Sequence, residues 1–332
     1  MTLAQVNYLN IALILFSTVL AFLLPFELFL FSYAVLGPLH YLTEIGWLHR
    51  KNYFTSGKRD YLFLIALCTI AMVLFISDYL FFRNGAALTN DESQVSATLR
   101  FFIVCSIVVS FVAALAMVLF RNTQHKLMFT CIASGILLLF HQAHPTLIIL
   151  ALLLPTLIHV SIFMLAFMLF GSIKSKSISG YLSIAIFVLC GASFFIVDFQ
   201  TSPVHPFFWQ RFLTGDFSIV NQLLLNDFSY GNGSESQLLS NSGYKIQRFI
   251  AFAYTYHYLN WFSKTKVIDW HNMSEKHSWL IIVAWISAVG FYLIDFRTGL
   301  IVLFFLSMLH VFLEFPLNFH SIIGIGKAIF TK

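Results

Sequence analysis

Two histidines in this chain are followed four residues later by a carboxylate: His40 by Glu44, and His310 by Glu314. At that spacing both groups share one face of a helix, one turn apart. Both pairs sit in long apolar runs, as do His159 and His257. Lipid offers an ionisable side chain no partner, so such groups turn toward a bundle interior or a cavity. The four runs are expected to cross in the same direction. Each histidine then follows its entry point by about 10 to 14 residues, which at 1.5 Å per residue puts all four at similar depth. A lone buried histidine ordinarily bonds one helix to another. A layer of four with two carboxylates points instead to a shared metal ion.

Imidazole and carboxylate without nearby cysteine suit iron, zinc or manganese. Histidine-held iron with open positions activates dioxygen, whereas zinc activates water. The expected ligands are His40, His159, His257 and His310, with Fe(II) first and Zn second. Glu44 and Glu314 are expected as further ligands or as carboxylates that orient the rings. In YTYHYLNWFSKT (254–265), Tyr254 and Asn260 fall near the face of His257 and are read as orienting groups. The structural alternative for that stretch is an aromatic belt at the membrane surface. His49, His271 and His320 are either interfacial residues or a second tier of ligands. His125, His141, His144, His205 and His277 are read as solvated.

The elements that carry these residues follow from composition. The chain has 332 residues, of which 59% are hydrophobic and 10% charged, with a mean hydropathy of +0.84. These values exclude a soluble globular domain and predict an all-α, polytopic transmembrane bundle forming a single membrane domain over 1–332. Ten runs approach the roughly 20 residues a span requires, at about 6–24, 27–48, 61–82, 99–120, 127–141, 146–170, 181–199, 246–263, 279–296 and 300–320. With both termini in the cytoplasm, the inner segments hold 13 Lys and Arg and the outer side 6, as the positive-inside rule requires. The net charge of +5 is then a membrane-side bias and does not call for nucleic acid. Residues 1–7 contain no Lys or Arg, so the first run is expected to be retained as a span. The expected location is a bacterial inner (plasma) membrane.

Residues 200–245 form a long extracytoplasmic loop, read as a lid or a mobile connection. Within it HPFFWQRFL (205–213) is expected to be an amphipathic surface piece. Pro316 is expected to bend its span, and under a transporter reading Pro155 and Pro316 would be the places where spans six and ten break. The four cysteines lie singly in apolar runs and are read as packing residues.

GPLHYLTEIGW (37–47) and LHVFLEFPLNFHS (309–321) resemble two segments of the bacterial Brp/Blh-type carotene dioxygenases. The first resembles the family's early segment, a histidine with an acidic residue four further on. The second resembles its late segment, in which a second histidine follows. The resemblance implies a polytopic enzyme that cleaves a carotenoid with dioxygen and histidine-held iron. It also implies that His40, His159, His257 and His310 are iron ligands.

Other readings of the same residues are a zinc-dependent hydrolase of lipid amides or esters and a proton-coupled transporter with His/Glu pairs as its relay. A haem-bearing electron carrier and a multi-histidine desaturase fit less well, since no HxxHH box occurs. The expected partners are the bilayer and a lipophilic small molecule.

Overall fold

The computed structural model describes residues 2–82, 90–143, 146–199, 204–215, 217–227, 235–264, 274–294 and 296–330. Among them every regular element is helical. In chain order these are α1 (Leu3–Leu23), α2 (Pro25–Phe31), a π-helical segment (Ser32–Leu36) and α3 (Gly37–Arg50). A short 3₁₀ turn (Asn52–Phe54) leads to α4 (Tyr61–Phe82), α5 (Asn90–Leu119) and α6 (Thr123–Ala143). Then come α7 (Thr146–Leu153), a second π-helical segment (Leu154–Phe163), α8 (Met164–Ser175) and α9 (Ile178–Ile196). Three short helices follow: α10 (Pro206–Thr214), α11 (Ser218–Asp227) and α12 (Glu235–Leu238). The last are α13 (Asn241–Ser263), α14 (Glu275–Ile294) and α15 (Phe296–Phe330).

Among the described residues, seven helical stretches are long and apolar enough to cross a membrane: Leu3–Leu23, Pro25–Arg50, Tyr61–Phe82, Asp91–Leu119, Ala151–Ser175, Ile178–Ile196 and Thr298–Phe330. Ser278–Ile294 is a shorter apolar helix. The protein is therefore an integral membrane protein. The remaining two expected runs lie in α6 and α13. Polar ends shorten the apolar part of α6, and α13 carries Lys245, Gln247, Arg248 and Asn260. The outward faces agree with a lipid surround: Ile178, Leu189 and Ile196 on α9, and Trp279, Leu280 and Ile294 on α14, are exposed.

The chain divides into two compact units. The first comprises Met1–Glu44, Leu157–Leu303 and Lys327–Lys332. Its axis is α13, which is buried on nearly every side from Ile246 to Ser263 and packs on α1, α2, α9 and the first π segment. A helix enclosed this way can carry polar groups only if its neighbours bond them. They do. Asn10 on α1 accepts from the Tyr256 hydroxyl at 3.3 Å and the Ser263 hydroxyl at 3.1 Å. Ser32 and Thr255 share a hydrogen bond of 2.8 Å. Asn7 donates to Ser177 and Ser179 at 3.0 Å each, tying α1 to the start of α9.

The expected long loop is largely helical. Phe212 of α10 is fully buried against Phe26 of α2, and Asn221 of α11 donates to Gln247 of α13 at 2.9 Å. These described parts of the loop are held down by packing. α10 is amphipathic, with Phe212 inward and Phe207 outward, as expected.

The second unit comprises Ile45–Thr156 and Phe304–Gly326, with α5 packed on α4, α6 and α7. Asp78 of α4 is buried and is bonded by Ser96 and paired with Arg100 at 3.4 Å. Lys126 donates to Asp60 at 2.6 Å. Asn52, Tyr53 and Phe54 all have φ near +50°, the left-handed region. That turn is held by Tyr53 stacked on Tyr61, with ring centroids 4.6 Å apart. The four cysteines are free thiols.

Gly299 provides a test of the tight α14–α15 approach. A Cβ there would collide with the Tyr292 backbone, which cannot yield as a flexible side chain can. Gly299→Ala is expected to destabilise the protein by about 1–3 kcal/mol through overpacking. A thermal-unfolding midpoint equal to wild type would contradict that approach.

Candidate metal centre

Two irregular helical segments precede or contain the site histidines. Ordinary α-helix bonds reach back four residues. In the first π segment the Gly37 N–H instead reaches back five, to the Ser32 carbonyl. The segment ends four residues before His40. The second π segment contains His159 itself, four residues after Pro155. Proline brings no N–H to the ladder, so a wide turn there sacrifices little. π turns re-aim the side chains they carry and recur at functional sites.

In the first unit His40, Glu44, His159 and His257 converge. All are buried, His40 and His159 at 1% exposure. His40 Nε2 lies 3.1 Å from His257 Nε2 and 3.0 Å from Glu44 Oε2. The His40 and His257 rings meet edge to face, with centroids 4.7 Å apart, and the His159 and His257 centroids are 4.8 Å apart.

The 3.1 Å contact fits two chemical states. With hydrogen on one Nε2 it is an N–H···N bond, the tautomer being an assignment. With both lone pairs free, the two nitrogens face one cation. Metal–nitrogen bonds of 2.0–2.1 Å separate neighbouring donor atoms by about 3.0 Å at a right angle and about 3.4 Å at a tetrahedral angle. Glu44 Oε2 stands 3.0 Å from His40 Nε2, beside the same ring.

His310 and Glu314 belong to the second unit, where both are buried on α15 at 2% and 1% exposure. Asn318, one further turn along, is buried at 1%. His49 and His320, also in that unit, are exposed: Tyr53 bonds the His49 ring at 3.3 Å, and Phe54 lies against His320. These are the surroundings of interfacial residues. His205 caps α10 by accepting from the Phe207 N–H, and His125 is exposed. His144 and His271 lie outside the described residues, and the side chains of His141 and His277 are not described.

Of the two expected orienting groups, Tyr254 packs against Phe29, Tyr33 and Tyr258. Asn260 is buried, and its carbonyl accepts from Ser263. Among the described residues no hydrogen bond joins either side chain to the histidines. Other groups line the site. Tyr258 packs 5.2 Å from the His40 ring and shares a 2.6 Å hydroxyl bond with Tyr41. Trp261 lies 5.6 Å from His40 and donates to Thr43 at 2.9 Å. Thr43 in turn donates to the His40 carbonyl at 3.0 Å. Tyr41, Thr43 and Tyr258 were legible only as neighbours of His40 and His257 in the sequence. Gly37 makes room for this arrangement: a Cβ there would come within 2.9 Å of the Tyr41 hydroxyl.

No protein-family model, curated protein or solved structure matches the chain.

The tyrosine pair is testable. Tyr258→Phe removes one buried hydrogen bond and is expected to cost about 1 kcal/mol. Tyr8→Phe, at an exposed position, should cost nothing measurable. Equal unfolding midpoints for the two variants would refute the pairing.

Proposed function

We propose that this protein is a metal-dependent membrane oxygenase, with non-haem iron held by histidines and a lipophilic substrate such as a carotenoid or another lipid. The observation that carries the metal is the approach of His40 Nε2 and His257 Nε2 to 3.1 Å in a buried setting, with Glu44 Oε2 3.0 Å from His40 Nε2. Two imidazoles with a carboxylate form a donor set suited to ferrous iron. His159 joins it through its ring contact with His257. His310 is assigned on the sequence argument of common depth and on the His-x₃-Glu spacing it shares with His40. The choice of oxygen chemistry and of a carotenoid-like substrate rests on the Brp/Blh-type resemblance of 37–47 and 309–321. The proposed topology has about ten spans, both termini cytoplasmic, in a bacterial inner membrane. The Lys and Arg distribution supports it.

When bound, iron with open positions would supply activation of dioxygen. The chain's own residues then have separate tasks. Glu44 fixes the His40 ring and adds negative charge beside it. The Trp261–Thr43 bond fixes the backbone at His40. Tyr41, Tyr258 and Trp261 close the site with aromatic surface, which excludes water and favours an apolar substrate. One alternative draws on a specific contact: the 3.0 Å approach of His40 and Glu44 is also what a proton-relay transporter would use.

Elemental analysis and an absorption spectrum of protein purified without added metal separate these readings. About one iron per chain with no Soret band is the expected result. Zinc would favour hydrolysis, a Soret band would favour electron transfer, and metal-free protein would favour the relay. His40→Ala and His310→Ala should each abolish bound metal and activity, and His205→Ala should do neither. Glu44→Gln should weaken metal affinity about 10–100-fold, as loss of a carboxylate at a ligating histidine does. Full metal retention in both histidine variants would defeat the assignment.

A further inference from the structure

The second unit carries an apolar groove that the histidines do not use. Phe120, just past α5, and His125, Met128, Phe129, Ile132 and Ile136 of α6 line it, and its volume is about 490 Å³. The α6 residues recur every three or four positions, so they form one face of the helix. From His125 to Ile136 that face is about 16 Å long, close to half of the roughly 30 Å hydrocarbon of a bilayer. Met128, Ile132 and Ile136 are exposed, so the groove opens on the side that meets lipid.

One end of the groove is basic. Arg121 follows Phe120 directly. Ser56 ties the connection between α3 and α4 to the same place: its N–H donates to the Met117 carbonyl at 3.1 Å and its hydroxyl to the Phe120 carbonyl at 2.6 Å. Lys58 and Arg59 lie two and three residues further along that connection. The connection is itself held in shape. The Asn52 amide donates to the Thr55 and Gly57 carbonyls at 3.1 and 3.4 Å, and the Gly57 N–H donates to Asp60 at 2.9 Å. Asp60 is the only carboxylate in residues 50–60 and 120–126, and Lys126 already occupies it at 2.6 Å. Lys58, Arg59 and Arg121 are exposed and make no ion pair among the described residues.

We propose that the groove holds an anionic glycerophospholipid, with one acyl chain along α6 and its phosphate headgroup against Arg121, Lys58 and Arg59. Apolar lining one leaflet deep suits the chain, and three uncompensated cations at one end suit the headgroup. A zwitterionic lipid would fit the lining and bring a cation of its own to the basic end. A second copy of this chain, related by an axis along the membrane normal, would bring the same three cations to meet these, a costly juxtaposition of like charge. The inference does not depend on the metal centre.

The test uses the full chain in detergent, freed of bound lipid and monodisperse on gel filtration. Native mass spectrometry counts the lipid retained as phosphatidylglycerol or phosphatidylcholine is added. One phosphatidylglycerol per chain, held at least about tenfold more tightly than phosphatidylcholine, is the expected result. The double variant Lys58→Gln/Arg121→Gln, altered at two exposed positions, should lose that preference and bind phosphatidylcholine as before. Lys174→Gln/Lys176→Gln, which removes as much exposed charge from the first unit, should keep it. Ile132→Trp, which fills the groove, should weaken the binding of both lipids. Equal affinity of wild type for the two lipids overturns the proposal, as does an unchanged preference in the folded Lys58/Arg121 variant or an equal loss in the Lys174/Lys176 variant. Unchanged lipid binding by Ile132→Trp overturns it too. So does a dimer that Ile132→Trp dissociates, because a second copy would then occupy the groove.

Discussion

A polar group enclosed by apolar helices must find its partner inside the protein, because lipid supplies none. The arrangement of the first unit follows from that constraint. α13 carries histidine, tyrosine, serine, threonine, asparagine, glutamine and arginine through a nearly closed interior. Its neighbours are placed so that Asn10, Ser32, Tyr41, Thr43 and Asn221 meet those groups. The packing of α1, the first π segment, the start of α3 and α11 on α13 is thus specified by directed bonds as much as by shape. Apolar contact alone distinguishes poorly between helix pairs in a membrane.

The same constraint joins structure to chemistry. Two imidazoles and a carboxylate at hydrogen-bond spacing, with a third imidazole ring packed on them, are poor packing material for an apolar interior and good material for a cation. Their immediate lining is aromatic, while their backbone is fixed by hydroxyl and indole bonds one step further out. Such layering holds donor atoms at fixed separations without flexible charged side chains. It also keeps the medium around them of low polarity, in which electrostatic interactions are strong.

Much of this was legible in the sequence. His40 with Glu44 is an i, i+4 pair on an unbroken helix, so its geometry followed from spacing alone. His257 followed from its place in a long apolar run, at the depth expected for the other three histidines. Some features were not legible. The expectation that Tyr254 and Asn260 flank His257 came from a 3.6-residue wheel, and neither side chain bonds the rings, since neighbouring helices decide which side of α13 faces the site. Tyr258, adjacent in sequence and a quarter-turn away, packs on His40 because α3 approaches from that side. The loop over 200–245 read as irregular from its Ser, Asn and Gly content. Its described parts are short helices whose aromatic residues pack on α2 and α13, a tertiary effect that local composition does not carry.

The two π-helical segments bear on how the chain could change in length. In a plain α-helix, removing one residue rotates everything beyond it by about 100° and would swing a histidine off its face. A wide turn already holds one residue more than the α-helical ladder needs. A deletion within Ser32–Leu36 or Leu154–Phe163 could therefore be absorbed by closing that turn, with the flanking helices keeping their phase. Insertions and deletions among related chains should then gather at these two places, each beside or around a site histidine, while the intervening helices stay fixed in length.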